Sequence, residues 1–315
     1  MWQVDPFQTL LAIALDLLLG DPRGWPHISR LAGCLSTGCE NLFARWFGRS
    51  VFSGLFFWLL VNGALLGIYA LIYFLCISVH PVAEWLWQVF IIYQAVAAMD
   101  MARHARSILS PLTAGDLPTA RQRLSWIVGR DTANLDSSEM SRAAIESVAE
   151  STNDAIIAPL FWSIVAGAPG ALLYRTSNTL DSMVGHHTER HEKFGKVSAR
   201  IDDFLNWLPA RLTAMAFCLL NRSVSWSTVR HEAAAHASPN AGWGEAAMAY
   251  ALNVRLGGDN FYEGQRVDGP VFNASARVAV PADIAASLGW MWRVTAICAM
   301  MLLLFSFTFH FLFHS

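Results

Sequence analysis

The chain has 315 residues, of which 54% are hydrophobic and 15% charged, with 13 Trp and 19 Phe, and this composition together with a positive mean hydropathy places it in a membrane rather than among soluble domains. A formal net charge of −2 excludes the basic footprint of a nucleic-acid binder. Five cysteines, an odd number with no Cys-x-x-Cys pair, exclude a disulfide framework and a cysteine zinc site.

In chain order, the first apolar segment, 7–19, is short and contains Asp16. It lacks a basic leading region, so it is expected to stay on the mature protein. Gly20-Asp21-Pro22 and Pro26-His27 then form a helix stop with two polar groups at the membrane edge. Segment 52–79 carries no charge over more than the roughly 20 residues a bilayer requires. Segment 82–99 follows a turn at His80-Pro81, and 290–313 closes the chain with Trp290, Trp292 and Arg293 at the interface. Two apolar stretches are interrupted: 155–173 by Pro159, Gly167, Pro169 and Gly170, and 207–220 by Pro209 and Arg211. Such segments are short, re-entrant or buried within a bundle. Loops 21–50, 101–154, 175–206 and 222–289 each hold at least four basic residues and belong on the cytoplasmic side by the positive-inside rule. The expected fold is all-α: a polytopic integral membrane helical bundle with broken or re-entrant helices, cytoplasmic polar loops and a single membrane-embedded domain over 1–315.

The most informative stretch runs from Asp131 to Asp154 and leads directly into the apolar segment at 155. At about 100° per residue, Glu139, Arg142, Glu146, Glu150, Asn153 and Asp154 share one face of a helix. Arg142 is spaced to pair with Glu139 and Glu146, as on any solvated helix. That leaves Glu150 and Asp154, four residues apart, without a local base. A carboxylate stripe beside membrane-grade sequence calls for a cation, and the candidates are a metal ion, a basic substrate group or arginines from elsewhere in the chain, while periodicity alone also leaves a proton relay open. Carboxylates at this spacing suit Mg²⁺, which takes one or two of them together with substrate phosphate and water.

Asn178, Asp181 and Ser182 follow the first broken segment, and Lys193, Lys196 and Arg200 lie in the polar loop beyond. His187 and His191 have the spacing of a zinc clamp, but the pattern is not His-Glu-x-x-His, and an anion-binding polar loop is the better reading. Asp202 and Asp203 stand next to Arg200, with Arg211 further along. Ser238-Pro239-Asn240 is a turn placed to cap the Ala-rich helix that contains Glu245, and 256–264 is a glycine-punctuated turn. The chain has no P-loop and no Gly-x-Gly-x-x-Gly after a strand.

Taken together and in order, several runs resemble the CobD/CbiB family, the adenosylcobinamide-phosphate synthases of cobalamin biosynthesis. They are Leu19-Gly20-Asp21-Pro22; Trp126 to Thr132 with Gly129-Arg130-Asp131; Glu146 through Glu150 to Asp154; Asn178 to Gly185; Arg200 to Asp203; Leu208-Pro209-Ala210-Arg211; Ser238-Pro239-Asn240-Ala241 with Glu245; and Leu256-Gly257-Gly258 with Asn260, Tyr262 and Gly264. Ser151, Ala155 and His187 depart from the pattern usual in that family. The resemblance implies a multi-pass enzyme of the bacterial cytoplasmic (inner) membrane with a cytoplasmic active site. It would join adenosylcobyric acid, a corrinoid, to (R)-1-aminopropan-2-ol or its O-phosphate, with ATP as co-substrate and Mg²⁺ as cofactor. On that basis Glu146, Glu150 and Asp154 are expected to hold Mg²⁺–ATP, and Asp181, Asp202 or Asp203 to supply further ligands or the base for the amine. Arg130, Lys193, Lys196, Arg200 and Arg211 are expected to bind phosphate and the peripheral groups of the corrin. Asp131, Arg142, Asn178, Ser182, Ser238, Asn240 and Glu245 complete the substrate-binding set. Membrane lipid is the surrounding partner, and a scaffold role for other membrane-associated cobamide enzymes is compatible with catalysis. The competing reading is a transporter or sensor for a corrinoid or another anion, which would place its polar groups near the midplane rather than in loops on one side.

Overall fold

A computed structural model describes residues 5–22, 24–185 and 190–314, the side chains of 309–314 excepted. Along the chain the helices are α1 (Pro6–Leu19), α2 (Ile28–Phe47), α3 (Val51–Val79), α4 (Pro81–Ala95), α5 (Ala98–Thr113), α6 (Leu117–Leu124), α7 (Ser137–Ser151), α8 (Ala158–Val184), α9 (Lys196–Leu220), α10 (Trp226–Ala233), α11 (Ala241–Leu252) and α12 (Pro281–His314). A π-helical stretch, Thr152–Ile157, follows α7. Four short strands, β1 (Leu256–Gly257), β2 (Asn260–Tyr262), β3 (Gln265–Val267) and β4 (Val271–Phe272), lie between α11 and α12.

Among the described residues, four helical runs are long and apolar enough to cross a membrane: Val51–Val79, Pro81–Thr113, Ser137–Val184 and Pro281–Thr308. The fold is an all-α polytopic membrane bundle. Local signals start and stop its helices. Asp5 accepts from Phe7 N at 2.8 Å with Pro6 at the first helical position of α1, and Gly20, at φ 59°, ends that helix. His80 caps α4 through Nδ1, with Pro81 at the first turn. The span expected over 82–99 is interrupted: α4 ends at Ala95, Val96 is extended (φ −93°, ψ 140°), and α5 starts at Ala98. No Pro or Gly marks that break. In the 155–173 segment the break falls at Ala166 and Gly167, where Gly167 takes φ 66°, just ahead of Pro169.

The chain divides into two compact units: Met1–Ala97 with Ala158–Asn206 and Met301–Ser315, and Ala98–Ile157 with Trp207–Met300. In the first unit, α4 packs against α1, α3 and α8, and α2 packs against α3 and α8. Its cores are a cluster around Tyr69, Ile92 and Ala171 and another around Phe57, Leu180 and Phe194. In lipid, helix association depends on close van der Waals contact and small residues rather than on water exclusion. Gly54 illustrates this, since a Cβ there would stand 2.0 Å from the Phe194 carbonyl oxygen.

In the second unit α7 packs against α5, α6 and α11, and α10 against α11. Alanines 143, 144 and 149 of α7 and 246, 247 and 249 of α11 are fully buried. The two helices approach so closely that a Cβ on Gly244 would lie 2.9 Å from the Ala149 carbonyl oxygen. The strands, absent from the expected all-α pattern, make two small antiparallel pairs, β1 with β4 and β2 with β3. Glu263 and Gly264 form a two-residue turn between β2 and β3, both at positive φ (51° and 76°), as the right-handed strand twist favours.

Candidate functional site

In the second unit, the carboxylate of Glu146 joins three parts of the chain. Its Oε2 lies 2.7 Å from Arg130 Nη1, and its Oε1 accepts from Gly257 N at 2.7 Å and from Arg142 Nη1 at 3.3 Å. The Glu146 side chain is 5% exposed and that of Arg130 13%, so this is a buried ion pair and each remaining lone pair needs a partner. Arg142 supplies the rest of the frame: it donates to Gly257 O at 2.7 Å, Asp259 O at 3.2 Å and Asn260 Oδ1 at 3.0 Å. Arg130 donates to the same Asn260 oxygen at 2.8 Å.

Asp131, the neighbour of Arg130, fastens the β2–β3 turn. Its carboxylate accepts from Glu263 N at 3.2 Å and Gly264 N at 2.8 Å, and its own N–H donates to Phe261 O at 2.8 Å. The runs at 126–132, 146–154 and 256–264, far apart in sequence, thus form one polar assembly.

Glu245, on α11, is the third carboxylate of this unit's polar core. Burial, reinforced by repulsion from Glu146 and Glu150 and only partly offset by Arg130 and Arg142, holds its carboxyl well above the usual glutamate range. His236 Nε2 stands 3.8 Å away, while its Nδ1 accepts from Ser238 N at 2.9 Å. Burial lowers the His236 pKa and keeps the imidazole neutral. Three carboxylates against two arginines leave an excess negative charge, which protonation of Glu245 relieves.

Glu150 is exposed and Asp154 half-buried. Asp154 Oδ1 accepts from Asn153 Nδ2 at 2.7 Å, and Asn153 Oδ1 accepts from Thr213 at 3.2 Å. The expected trio of metal-binding carboxylates does not come together: among the described residues no group of three or more His, Cys, Asp or Glu stands close enough to hold a metal ion. Glu146 has turned to the arginines, and the π stretch that begins at Thr152 alters the helical spacing between Glu150 and Asp154. The donors that fit Mg²⁺ are hard carboxylate oxygens, and Glu150 and Asp154 still provide two, as many as Mg²⁺ usually takes from protein. Glu139 is engaged elsewhere, in a capping box with Asp136 at the start of α7.

Arg211, Asn240 and Ser238 also come together in this unit. Arg211 donates to Asn240 Oδ1 and Trp207 O, both at 2.7 Å, and to Pro239 O at 3.1 Å, and its guanidinium lies between the rings of Trp207 and Trp243 at 4.7 and 4.9 Å. Ser238 Oγ, rather than the Asn240 side chain, accepts from Asn240 N and from Ala241 N, the first N–H of α11, both at 3.2 Å.

In the first unit, Asn178, Asp202 and Asn206 join a buried seam between α8 and α9. Tyr174 OH donates to Asn206 Oδ1 at 2.9 Å, Asn206 Nδ2 to Asp202 Oδ2 at 3.0 Å, and Asn178 Nδ2 to Asp202 Oδ1 at 3.3 Å. Both oxygens of Asp202 are therefore held by neutral amides. Asp181 lies against Gly185, where a Cβ would stand 1.9 Å from Asp181 Oδ1. Burial raises the Asp203 pKa against the pull of Arg200. Ser182 Oγ donates to the Asn178 carbonyl within its own helix, while Lys193, Lys196 and Arg200 remain exposed. His187 lies outside the described residues. His191 instead joins Arg49 and Arg190 around Glu40, at 3.1, 2.9 and 2.8 Å, which pins the polar loop to α2. The motif reading missed Glu40, His236 and Gly257 N. Glu40 stands alone in an otherwise uncharged stretch of α2, and that isolation was its only signal.

The family described as CobD/Cbib protein matches residues 9–291 of this chain. The chain is 40% identical over 296 residues to "Cobalamin biosynthesis protein CobD" of Klebsiella pneumoniae subsp. pneumoniae, covering 91% of this chain and 93% of that protein. It is 39% identical over 302 residues to "Cobalamin biosynthesis protein CbiB" of Salmonella typhimurium, covering 93% and 95%. No solved structure matches it.

Proposed function

The chain belongs to the CobD/CbiB family, and on that premise we propose that this cobalamin-biosynthesis protein is an ATP-dependent acid–amine ligase. It joins the free carboxylate of adenosylcobyric acid to (R)-1-aminopropan-2-ol O-phosphate or aminopropanol at the cytoplasmic face of the bacterial inner membrane. The observation that carries this reading is the polar core of the second unit, where Arg130 and Arg142 are held in place beside Glu146 and close enough to Glu245 to act on its charge.

A carboxylate does not react usefully with an amine, so it must first be activated. A carboxylate oxygen of the corrinoid attacks the γ-phosphorus of ATP, ADP departs, and the acyl phosphate forms. The amine nitrogen then attacks the carbonyl carbon, loses a proton and expels inorganic phosphate. Most of this chemistry consists of positioning and charge neutralisation. Arg130 and Arg142, fixed by Glu146 and Asn260, supply a standing positive field. Glu150 and Asp154 would hold Mg²⁺, which neutralises phosphate charge when bound. Glu245, its carboxyl held well above the usual glutamate range by burial, is protonated and suited to donate a hydrogen bond to a substrate oxygen. Asp181, Asp202 and Asp203 are the carboxylates suited to an ammonium group, and Lys193, Lys196, Arg200 and Arg211 to phosphate and the corrin periphery.

Replacing Glu150 or Asp154 by alanine is expected to abolish amide formation while the purified protein keeps its helical content in detergent. Near-normal turnover by both variants would remove them from the mechanism.

A further inference from the structure

Beside the Glu146 assembly, the second unit contains a cleft of about 400 Å³. It is within the size range of small-molecule sites, and it combines a few polar groups with apolar walls, as such sites do. Phe261, Val271 and Val278 line it and are 49%, 43% and 49% exposed. Arg142, Arg255 and Arg266 are its cationic groups.

The charges in the cleft are not equally available. Arg142 is committed to Glu146, Gly257, Asp259 and Asn260. Arg266 pairs with Asp259 at 2.5 Å and with Asp268 at 3.2 Å. Glu139 is held in its capping box. Arg255 is different: among the described residues its guanidinium has no ion-pair or hydrogen-bond partner, although its main chain is fixed by a 2.8 Å bond from its N–H to Arg277 O. Gly257 and Gly258 also line the cleft, both at positive φ (73° and 90°), and the backbone at Gly257 packs tightly against Pro270.

We propose that this cleft binds a nucleotide, with Arg255 on its phosphates and Phe261, Val271 and Val278 against its base. An uncommitted guanidinium recognises phosphate by paired donors, and an exposed aromatic ring takes a base of any kind by stacking. A small phosphate ester without a ring would leave the apolar walls unused. The cleft adjoins Glu146 through Arg142 and Gly257, which brings the phosphates to the polar core. The proposal rests on the ATP-dependent reading of the reaction and adds where the nucleotide sits.

The test is calorimetric titration of the full-length protein in detergent with a non-hydrolysable ATP analogue, with aminopropanol phosphate and with inorganic phosphate, beside an amide-formation assay. Arg255→Ala is expected to weaken analogue binding about tenfold or more and Arg255→Lys to restore part of it. Phe261→Leu is expected to weaken the analogue while leaving any binding of inorganic phosphate unchanged. Both side chains are exposed, and circular dichroism confirms that the variants fold. Analogue affinity unchanged in both Arg255→Ala and Phe261→Leu overturns the proposal, as does wild-type protein that binds aminopropanol phosphate as tightly as the analogue in a manner dependent on Arg255. Amide formation with ATP together with unchanged analogue binding by the variants leaves the ligase standing and removes the cleft. Absence of both product and nucleotide binding removes the ligase reading as well.

Discussion

Arg130 Nη1 donates to Asn260 Oδ1 at 2.8 Å across 130 residues of chain, and the same nitrogen lies 2.7 Å from Glu146. One guanidinium thus ties the loop before α7, the middle of α7 and the β-hairpin into a single polar frame. Its energetics follow from burial. Removing one member of a buried ion pair leaves the other charged and uncompensated, which costs more than the pair itself contributes.

Arg130→Ala and Glu146→Ala are each expected to destabilise the protein by about 3–5 kcal/mol. The double variant is expected to lose clearly less than the sum, because neither Arg130 nor Glu146 is then left without the other. Thermal unfolding in detergent of the four proteins of this cycle measures the coupling. Additive losses would mean that the two residues act independently.

The hairpin tip gives a milder and more local prediction. Asp131→Ala removes two acceptors from the Glu263–Gly264 turn and is expected to cost about 1 kcal/mol. Amide hydrogen exchange should rise in 260–267 and not in α11. Gly264→Val, at φ 76°, should raise exchange in the same segment through backbone strain.

Glu245 sets a pH dependence. Its folded-state pKa is raised, so the folded chain binds that proton more tightly than the unfolded chain does. The stability it contributes is complete below its ordinary value of 4.5 and is lost as pH rises from there through the raised value. Glu245→Gln keeps the shape and removes the titration. Its melting temperature should fall less than that of the wild type over this window, and parallel curves would assign the pH dependence to other groups.

Gly185 and Asp181 make a steric prediction. A Cβ at 185 would lie 1.9 Å from Asp181 Oδ1 and 2.7 Å from the Asp181 carbonyl oxygen. Gly185→Ala is expected to cost about 1–3 kcal/mol through overpacking and to displace the Asp181 carboxylate. Unfolding temperature reads the first effect. A melting temperature equal to the wild type would show that the α8 terminus yields.

The parts of the fold that were legible in the sequence were those governed by one-dimensional signals. Uncharged apolar length marked α3 and the carboxy-terminal helix, and Pro and Gly marked the irregular 155–173 stretch. The break at Val96 carries no such mark. The strands at 256–272 are two or three residues long, too short for period-two alternation to register. For the site, helical periodicity found Glu146 and Arg142 on one face. Pairing of Arg130 with Glu146 is tertiary and has no periodic trace. The carboxylate stripe is also divided in a way that spacing does not reveal, since a residue's partners decide its role: Glu139 caps a helix, Glu146 anchors two arginines, and Asp154 accepts from Asn153.

The central claim is ATP-driven amide formation, and the most direct measurement follows adenosylcobyric acid, aminopropanol phosphate and Mg-ATP with the purified full-length protein by mass spectrometry while inorganic phosphate is counted. The predicted result is the amide product, one phosphate and one ADP released per bond formed, and no product when either ATP or the amine is omitted. Amide formed at full rate without ATP, or ATP hydrolysed with no amide from the complete mixture, would contradict it.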